Sequence, residues 1–455
     1  MLTSKRSRLL AAFVGVVALA VPASAAAQDM GENMTLLKNL APPEASTQSD
    51  LAFQGRYAYA GTYTGFRVID VSNPASATQV AFFKCNGGQG DLSVYRDLLF
   101  VSVDSPQTKP ECDSKGAPQG AATPGAWEGI RVFDISNPKK PEYIKSIRTD
   151  CGSHTHTLVP DDRRNLYIYV SSFGLTTGSI GPHCGQFHGK ISVIHVPLRK
   201  PWRSEVVATP AVDVPVFDHR RVELGDEGLL DTTGCHDISV LAPRQLAAAA
   251  CLSVGQLWDI RHITRPRLIR TFDTPEIRVW HSASFTWDGE TLAFGDEAGG
   301  GSLGRCRPED YPNTGAVWFY NVSNGAEVGT YKLPRTFGEM DHCTMHNFNF
   351  VPGIDRDVIV SAAYHGGTTV ADVTDPANPV ELGWFEANSP IEGSTGPVHA
   401  KTWSSYWHNR FIYANDEDRG VDVFKIDQPL LAGSAFLYRD NPQTQERLFG
   451  ADNDH

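Results

Sequence analysis

The stretch GFRVIDVSNP, residues 65–74, sets apolar side chains at Phe66, Val68 and Val71 against Arg67 and Asp70, then breaks into Ser72, Asn73 and Pro74. Alternation toward an aspartate and then a Ser-Asn-Pro turn is the signature of a strand followed by a tight reversal. The phrase returns as GIRVFDISNP at 129–138 and as GTTVADVTDP at 367–376. Degenerate copies fill the intervals: KISVIHVP around His195, GQLWDIRHITRP around Asp259, GAVWFYNVSN around Asn321 and GVDVFKIDQP around Lys425. Measured at the aspartate position (70, 134, 195, 259, 321, 372, 425), the spacings are 64, 61, 64, 62, 51 and 53, a period regular enough to be architectural.

Each copy has a strand-like segment just upstream, as in RYAYAGT, DLLFVSV, NLYIYVSS and RFIYAND, another before that, and a fourth downstream such as QVAFFK or EYIKSI. Four short antiparallel strands per unit, with no helical periodicity after the first thirty residues, predict an all-β, seven-bladed β-propeller of four-stranded blades. These phrases, spread over roughly residues 34 to 440, resemble the LVIVD-repeat family of exported β-propellers. The resemblance implies the fold and an exported protein but no particular activity, and copies three, five and seven depart from it at the aspartate. MTLLKNL, Met34 to Leu40, stands where an outer strand would precede the first unit, so it is expected to close blade seven. The alternatives are a loose N-terminal arm, or closure by residues 433–439 with their SAFLY core. Long inserts such as 104–127 and 173–189 replace turns inside blades, so residues 28–455 read as one propeller domain with long surface loops.

The chain has 455 residues, 41% hydrophobic and 20% charged, which excludes disordered and collagen-like classes. Lys5, Arg6 and Arg8 precede thirteen apolar residues, Leu9 to Val21, then Pro22 and five small residues. Residues 1–27 therefore read as a signal peptide, too short in its apolar run to span a bilayer, and a secreted or periplasmic protein with no membrane anchor is expected. The net charge of −12, which becomes −15 once the three basic residues are removed, argues against nucleic acid as a partner. Eight cysteines in an exported chain predict disulfides. Cys151 with Cys184 and Cys306 with Cys343 would each join a long insert to the turn before an innermost strand. Cys235 and Cys251, on adjacent strands of one blade, are a third candidate.

The innermost strands line up as SDLAF, GDLSV, HTLVP, HDISV, HSASF, HNFNF and HAKTW. Their first positions are Ser49, Gly90, His156, His236, His281, His346 and His399, so five of seven are histidine where fifteen histidines in 455 residues would place fewer than one. Neutral imidazoles converging on a propeller axis from rigid strands form a ready-made transition-metal site for copper, iron or zinc. Blades one and two, lacking a histidine, would leave an open sector for water or substrate. Asp296, Glu297, His365, Asp416 and Glu417 fall on the same face and are candidates to act as a base or to orient an imidazole. The chain has no G-x-S-x-G elbow, H-E-x-x-H, P-loop or dinucleotide fingerprint. Two function classes remain. One is a metal-dependent protein performing oxidation or lyase chemistry on a small substrate, and the other a metal-free module that binds an extracellular protein or polysaccharide.

Overall fold

A computed structural model describes residues 29–117, 126–173, 184, 188–216, 233–391, 394 and 398–449. The signal-peptide reading of residues 1–27 lies outside them. The described strands form seven sheets of four or five strands, one per sequence copy, antiparallel except where a short C-terminal strand joins the fourth. Their innermost strands are Gln48–Gln54, Leu92–Tyr95, Thr155–Pro160, Asp237–Leu241, Trp280–Phe285, Phe348–Phe350 and Thr402–His408, numbered here as blades 1 to 7.

The repeated aspartate earns its place by ending the third strand. Its carboxylate accepts the backbone N–H two residues on, at 3.1 Å from Asp70 to Ser72, 2.8 Å from Asp134 to Ser136 and 3.0 Å from Asp372 to Thr374. Asn321 does the same for Ser323 in copy five, which explains how that copy tolerates losing the acid. In all seven blades the register between third and outermost strands slips once, a bulge that adds local twist to every outer edge.

Apolar side chains of consecutive blades interdigitate in seven buried clusters. The last joins Tyr406, Tyr413 and Val423 of blade 7 to Leu51, Phe53 and Ile69 of blade 1, so packing is continuous around the ring. Met34–Leu40 pairs antiparallel with Gly420–Ile426 and supplies the outer strand of blade 7. Before it, Met30–Glu32 adds a fifth strand to blade 6.

The C-terminal segment does not build an outer strand. It crosses the end of the channel opposite the histidines, visiting five blades in turn. Arg439–Asp440 pairs with Phe53 and Gln54, and Asn441 exchanges two hydrogen bonds with the Val94 backbone at 2.8 and 2.9 Å. Thr444 donates to the Leu158 carbonyl and runs parallel to Val240, and Gln445 reaches the Phe285 carbonyl at 2.7 Å. These bonds take up backbone groups that the tight inner ring would leave bare, and they floor the channel. Four disulfides, Cys85–Cys112, Cys151–Cys184, Cys235–Cys251 and Cys306–Cys343, use every cysteine of the chain. The first is a pair that sequence reading did not single out. No helix among the described residues is long and apolar enough to cross a membrane.

Candidate metal centre

Strand faces in a propeller look toward the neighbouring blades, so a side chain reaches the axis only before its strand begins or where a bulge turns it. His281 occupies such a bulge: Trp280 pairs with Asp296 and Ser282 with Gly295, leaving His281 unpaired and re-aimed inward. His236 and His346 precede the strands Asp237–Leu241 and Phe348–Phe350. All three line one channel cavity of about 20 Å³, with room for one water molecule or one ion.

Two of the five expected histidines lie elsewhere. Thr155 and Thr157 donate to carbonyls of blade 4, so strand alternation turns His156 to blade 2. There its Nε2 meets Ser93 Oγ at 2.7 Å and its Nδ1 meets Ser102 Oγ at 2.8 Å and Asp91 at 3.0 Å. His399 is exposed and bonds Asn388 at 2.8 Å. In blade 7 the bulge equivalent to that of His281 holds Trp403, between the pairs Thr402–Asp416 and Ser404–Asn415. The sequence alignment was therefore four residues out of step there.

The place left by His156 is taken by His154, which precedes its strand. Four imidazoles form a continuous arc, with ring centroids 4.3 Å apart for His154 and His236, 3.8 Å for His236 and His281, and 4.3 Å for His281 and His346. Glu297 stands over the middle of the arc. Its Oε2 is 3.6 Å from His281 Nε2 and its Oε1 3.6 Å from His346 Nε2, while the Tyr364 hydroxyl donates to Oε1 at 2.6 Å. Two ligand atoms bound to one tetrahedral ion at about 2.1 Å stand about 3.4 Å apart, so these are separations that an ion can bridge. His236, His281 and Glu297 each present a ligand atom within 4.8 Å of the others.

The proton arrangement suits ligation. His346 Nδ1 donates to the Trp403 carbonyl at 2.5 Å, which leaves the Nε2 lone pair toward Glu297. His346 Nε2, which faces Glu297, is buried without a hydrogen-bond partner, a costly condition that an ion between them would relieve; His236 Nδ1 and His281 Nδ1 are buried and unpartnered as well. Burial drives the pKa of His236 and His281 well below the ordinary histidine range and that of His346 down to about 3, so all three are neutral at physiological pH.

Of the five accessory candidates, Glu297 alone reaches the arc. Asp296 is raised to about 6 by burial and accepts backbone N–H groups of Arg278, Val279 and Gly315, all at 2.9 Å, pinning the turn before His281. Asp416, raised by burial to about 7, pins the equivalent turn in blade 7 through Lys401 and Arg419. Glu417 pairs with Lys401 at 2.5 Å, and His365 Nδ1 accepts the His342 N–H at 2.9 Å on the rim. Sequence reading missed Asp104, Trp403 and Tyr364, which have no repeat signature. It also passed over Asp50, Asp91 and Asp237, which do: they hold the second position in SDLAF, GDLSV and HDISV.

A propeller with a four-histidine, one-glutamate centre at one end of a floored channel is the class that fold and site define. Within it, residues 47–83 match the LVIVD repeat family model, so the chain carries an LVIVD repeat in a seven-bladed ring. No curated protein matches the sequence. Among solved structures, a Pseudomonas aeruginosa periplasmic gluconolactonase shares 13% identity, covering 85% of this chain and 94% of its own, at a TM-score of 0.54. A Lactobacillus plantarum protein shares 11% identity over 87% and 97%, at 0.53. A chain of a mitotic checkpoint complex shares 11% over 91% and 99%, at 0.51. At such identities these similarities establish the propeller fold alone.

Proposed function

We propose that this is an exported metalloprotein that holds one transition-metal ion in the histidine arc and uses it on a small substrate entering from the mouth. The observation that carries the reading is the set of three buried, neutral imidazoles with unpartnered nitrogens, with the Glu297 carboxylate 3.6 Å from two of the rings. His236, His281, His346 and Glu297 would hold the ion, with His154 beside them. Imidazole and carboxylate together suit zinc, copper or iron. Bound there, the ion would supply Lewis-acid or redox chemistry.

The chain's own residues set the conditions. Trp403 fixes the tautomer of His346, Asp104 that of His154, and Tyr364 holds Glu297. Blades 1 and 2 place no histidine on the cavity; they line it with Ser49, Asp50, Gln89 and Asp91, and a substrate O–H or N–H approaching from that side would meet these groups. Because the tail floors the channel, substrate and product share the mouth. Four disulfides on a chain whose start reads as a secretory leader support an oxidising, extracytoplasmic setting. Elemental analysis of the purified protein, as isolated and after reloading with zinc, copper or iron, tests the reading. One equivalent of a transition metal is expected, and folded protein that stays metal-free in every case overturns it.

A further inference from the structure

Opposite the histidine arc, the same cavity is lined by Asp50, Asp91 and Asp237, carboxyls of blades 1, 2 and 4 with 2, 6 and 4% of their surface exposed. All three share that small cavity with His236, His281 and His346. The Asp50 and Asp91 side chains face each other at hydrogen-bond distance. Two carboxylates cannot share such a contact unless one proton lies between them.

The surroundings assign that proton. Asp91 accepts the His156 backbone N–H at 2.7 Å and lies 3.0 Å from the His156 ring, and Ser102 approaches it at 3.4 Å. Asp50 accepts neutral donors, the Tyr406 hydroxyl at 2.6 Å and the Gln443 amide of the C-terminal segment at 3.2 Å. Burial and the charge of Asp91 push the Asp50 carboxyl well up. Burial also works to raise Asp91, but His156 outweighs it and holds the group below its ordinary value. The third acid, Asp237, is also pushed well up by burial and by the charge of Asp91. The resting pair is therefore a protonated Asp50 donating to an ionised Asp91. The unpartnered Ser49 hydroxyl and histidine nitrogens mark the same cavity as built to receive a ligand.

We propose that Asp50 and Asp91 are the acid–base pair of this channel, sharing one proton that leaves when a divalent ion enters the histidine arc. The proposal rests on the metal reading above. A dication held by the histidines of the same cavity, in a weakly screened interior, favours two carboxylates over a proton-sharing pair. The proton lost from the Asp50 O–H leaves through the mouth, and the resulting dicarboxylate accepts one proton from a ligand O–H or N–H and returns it when product departs. No electron changes hands in either step.

Titrating the metal-free protein with Zn²⁺ alone, by calorimetry at pH 7 in two buffers of different ionisation enthalpy, counts the protons released. The wild type should release about one proton more per zinc than Asp50→Asn, whose amide keeps the shape and cannot ionise. Infrared spectroscopy of the unmutated protein gives an independent readout. It should show a protonated-carboxyl component, missing from Asp50→Asn, that shifts in D₂O and disappears on zinc addition. Zinc binding with equal proton counts, or a band unmoved by zinc, overturns the proton-sharing pair and leaves the metal centre standing. A folded wild type that binds no zinc overturns the metal reading and this inference with it.

Discussion

His154 Nε2 and His236 Nε2 face each other across 2.8 Å. Both cannot carry a proton at that distance, and His154 Nδ1 lies 3.0 Å from Asp104 Oδ2, so Asp104 takes the Nδ1–H and leaves His154 an acceptor. His236 then donates from Nε2 and keeps the lone pair of its buried Nδ1. A carboxylate in blade 2 thus sets the tautomer of a ring in blade 4 through a histidine in blade 3.

Replacing Asp104 by asparagine should weaken that command without disturbing the fold. Zinc affinity is expected to fall by about 10- to 100-fold, the usual cost of losing an orienting partner, with an unchanged unfolding midpoint. Competition against a chromophoric chelator measures it, and unaltered affinity would show that His154 and His236 choose their tautomers unaided.

The two ends of the histidine reading separate cleanly by mutation. His281→Ala with His346→Ala should abolish bound metal while circular dichroism stays that of a β-propeller, because the inter-blade clusters contain neither side chain. His399→Ala should leave metal content untouched, since that ring is exposed and bonds Asn388. Metal loss in His399→Ala, or retention in the double variant, would contradict the assigned arc.

The blade count was legible because strand-and-turn chemistry repeats with the architecture: the best-kept copies stop their third strand with the same acceptor, Asp70, Asp134 and Asp372. Ring closure was legible from the surplus strand Met34–Leu40. Three of the five ring histidines followed from the same alignment. His156 and His399 did not, because one residue of strand phase decides which blade a side chain faces, and a bulge such as that at Trp403 is invisible in a pattern of alternation. The tail's path was hidden for a different reason. Asn441, Thr444 and Gln445 bond to backbone carbonyls and amides, which leave no sequence mark.

Asp357 offers a test of electrostatics away from the histidine arc. Burial, and then the charges of Asp288 and Asp372, raise its carboxyl to about 7 from the ordinary 3.8. With the folded value raised, the folded state holds its proton longer than the unfolded chain. The stability this confers is complete below about pH 4 and is lost as pH rises through 7. Asp357→Asn escapes that loss, so it should be more stable than wild type by about 1 to 3 kcal/mol at pH 8 and no more stable at pH 4. Denaturant unfolding at the two pH values checks the sign, and an advantage confined to pH 4 would refute it.

The C-terminal segment makes the strongest structural prediction. Arg439 to Gln445 ties the channel ends of five innermost strands through bonds to Phe53, Val94, Leu158, Val240 and Phe285. Gln443 also takes part, receiving the Val240 N–H on its carbonyl at 2.8 Å and donating to Asp50. Ending the chain after Tyr438 removes about six buried hydrogen bonds. At about 0.5 to 1 kcal/mol each, that is a loss of about 3 to 6 kcal/mol. Two further consequences distinguish a floor from a mere appendage. The Val94 and Val240 amides, which bond to Asn441 and Gln443, should exchange with solvent far faster, while amides of the third strands keep their protection. The ring itself should persist, because Met34–Leu40 closes it without the tail. A truncated protein with an unchanged unfolding midpoint and slow exchange at Val94 and Val240 would show that the channel keeps its shape unaided, and the floor would lose its structural role.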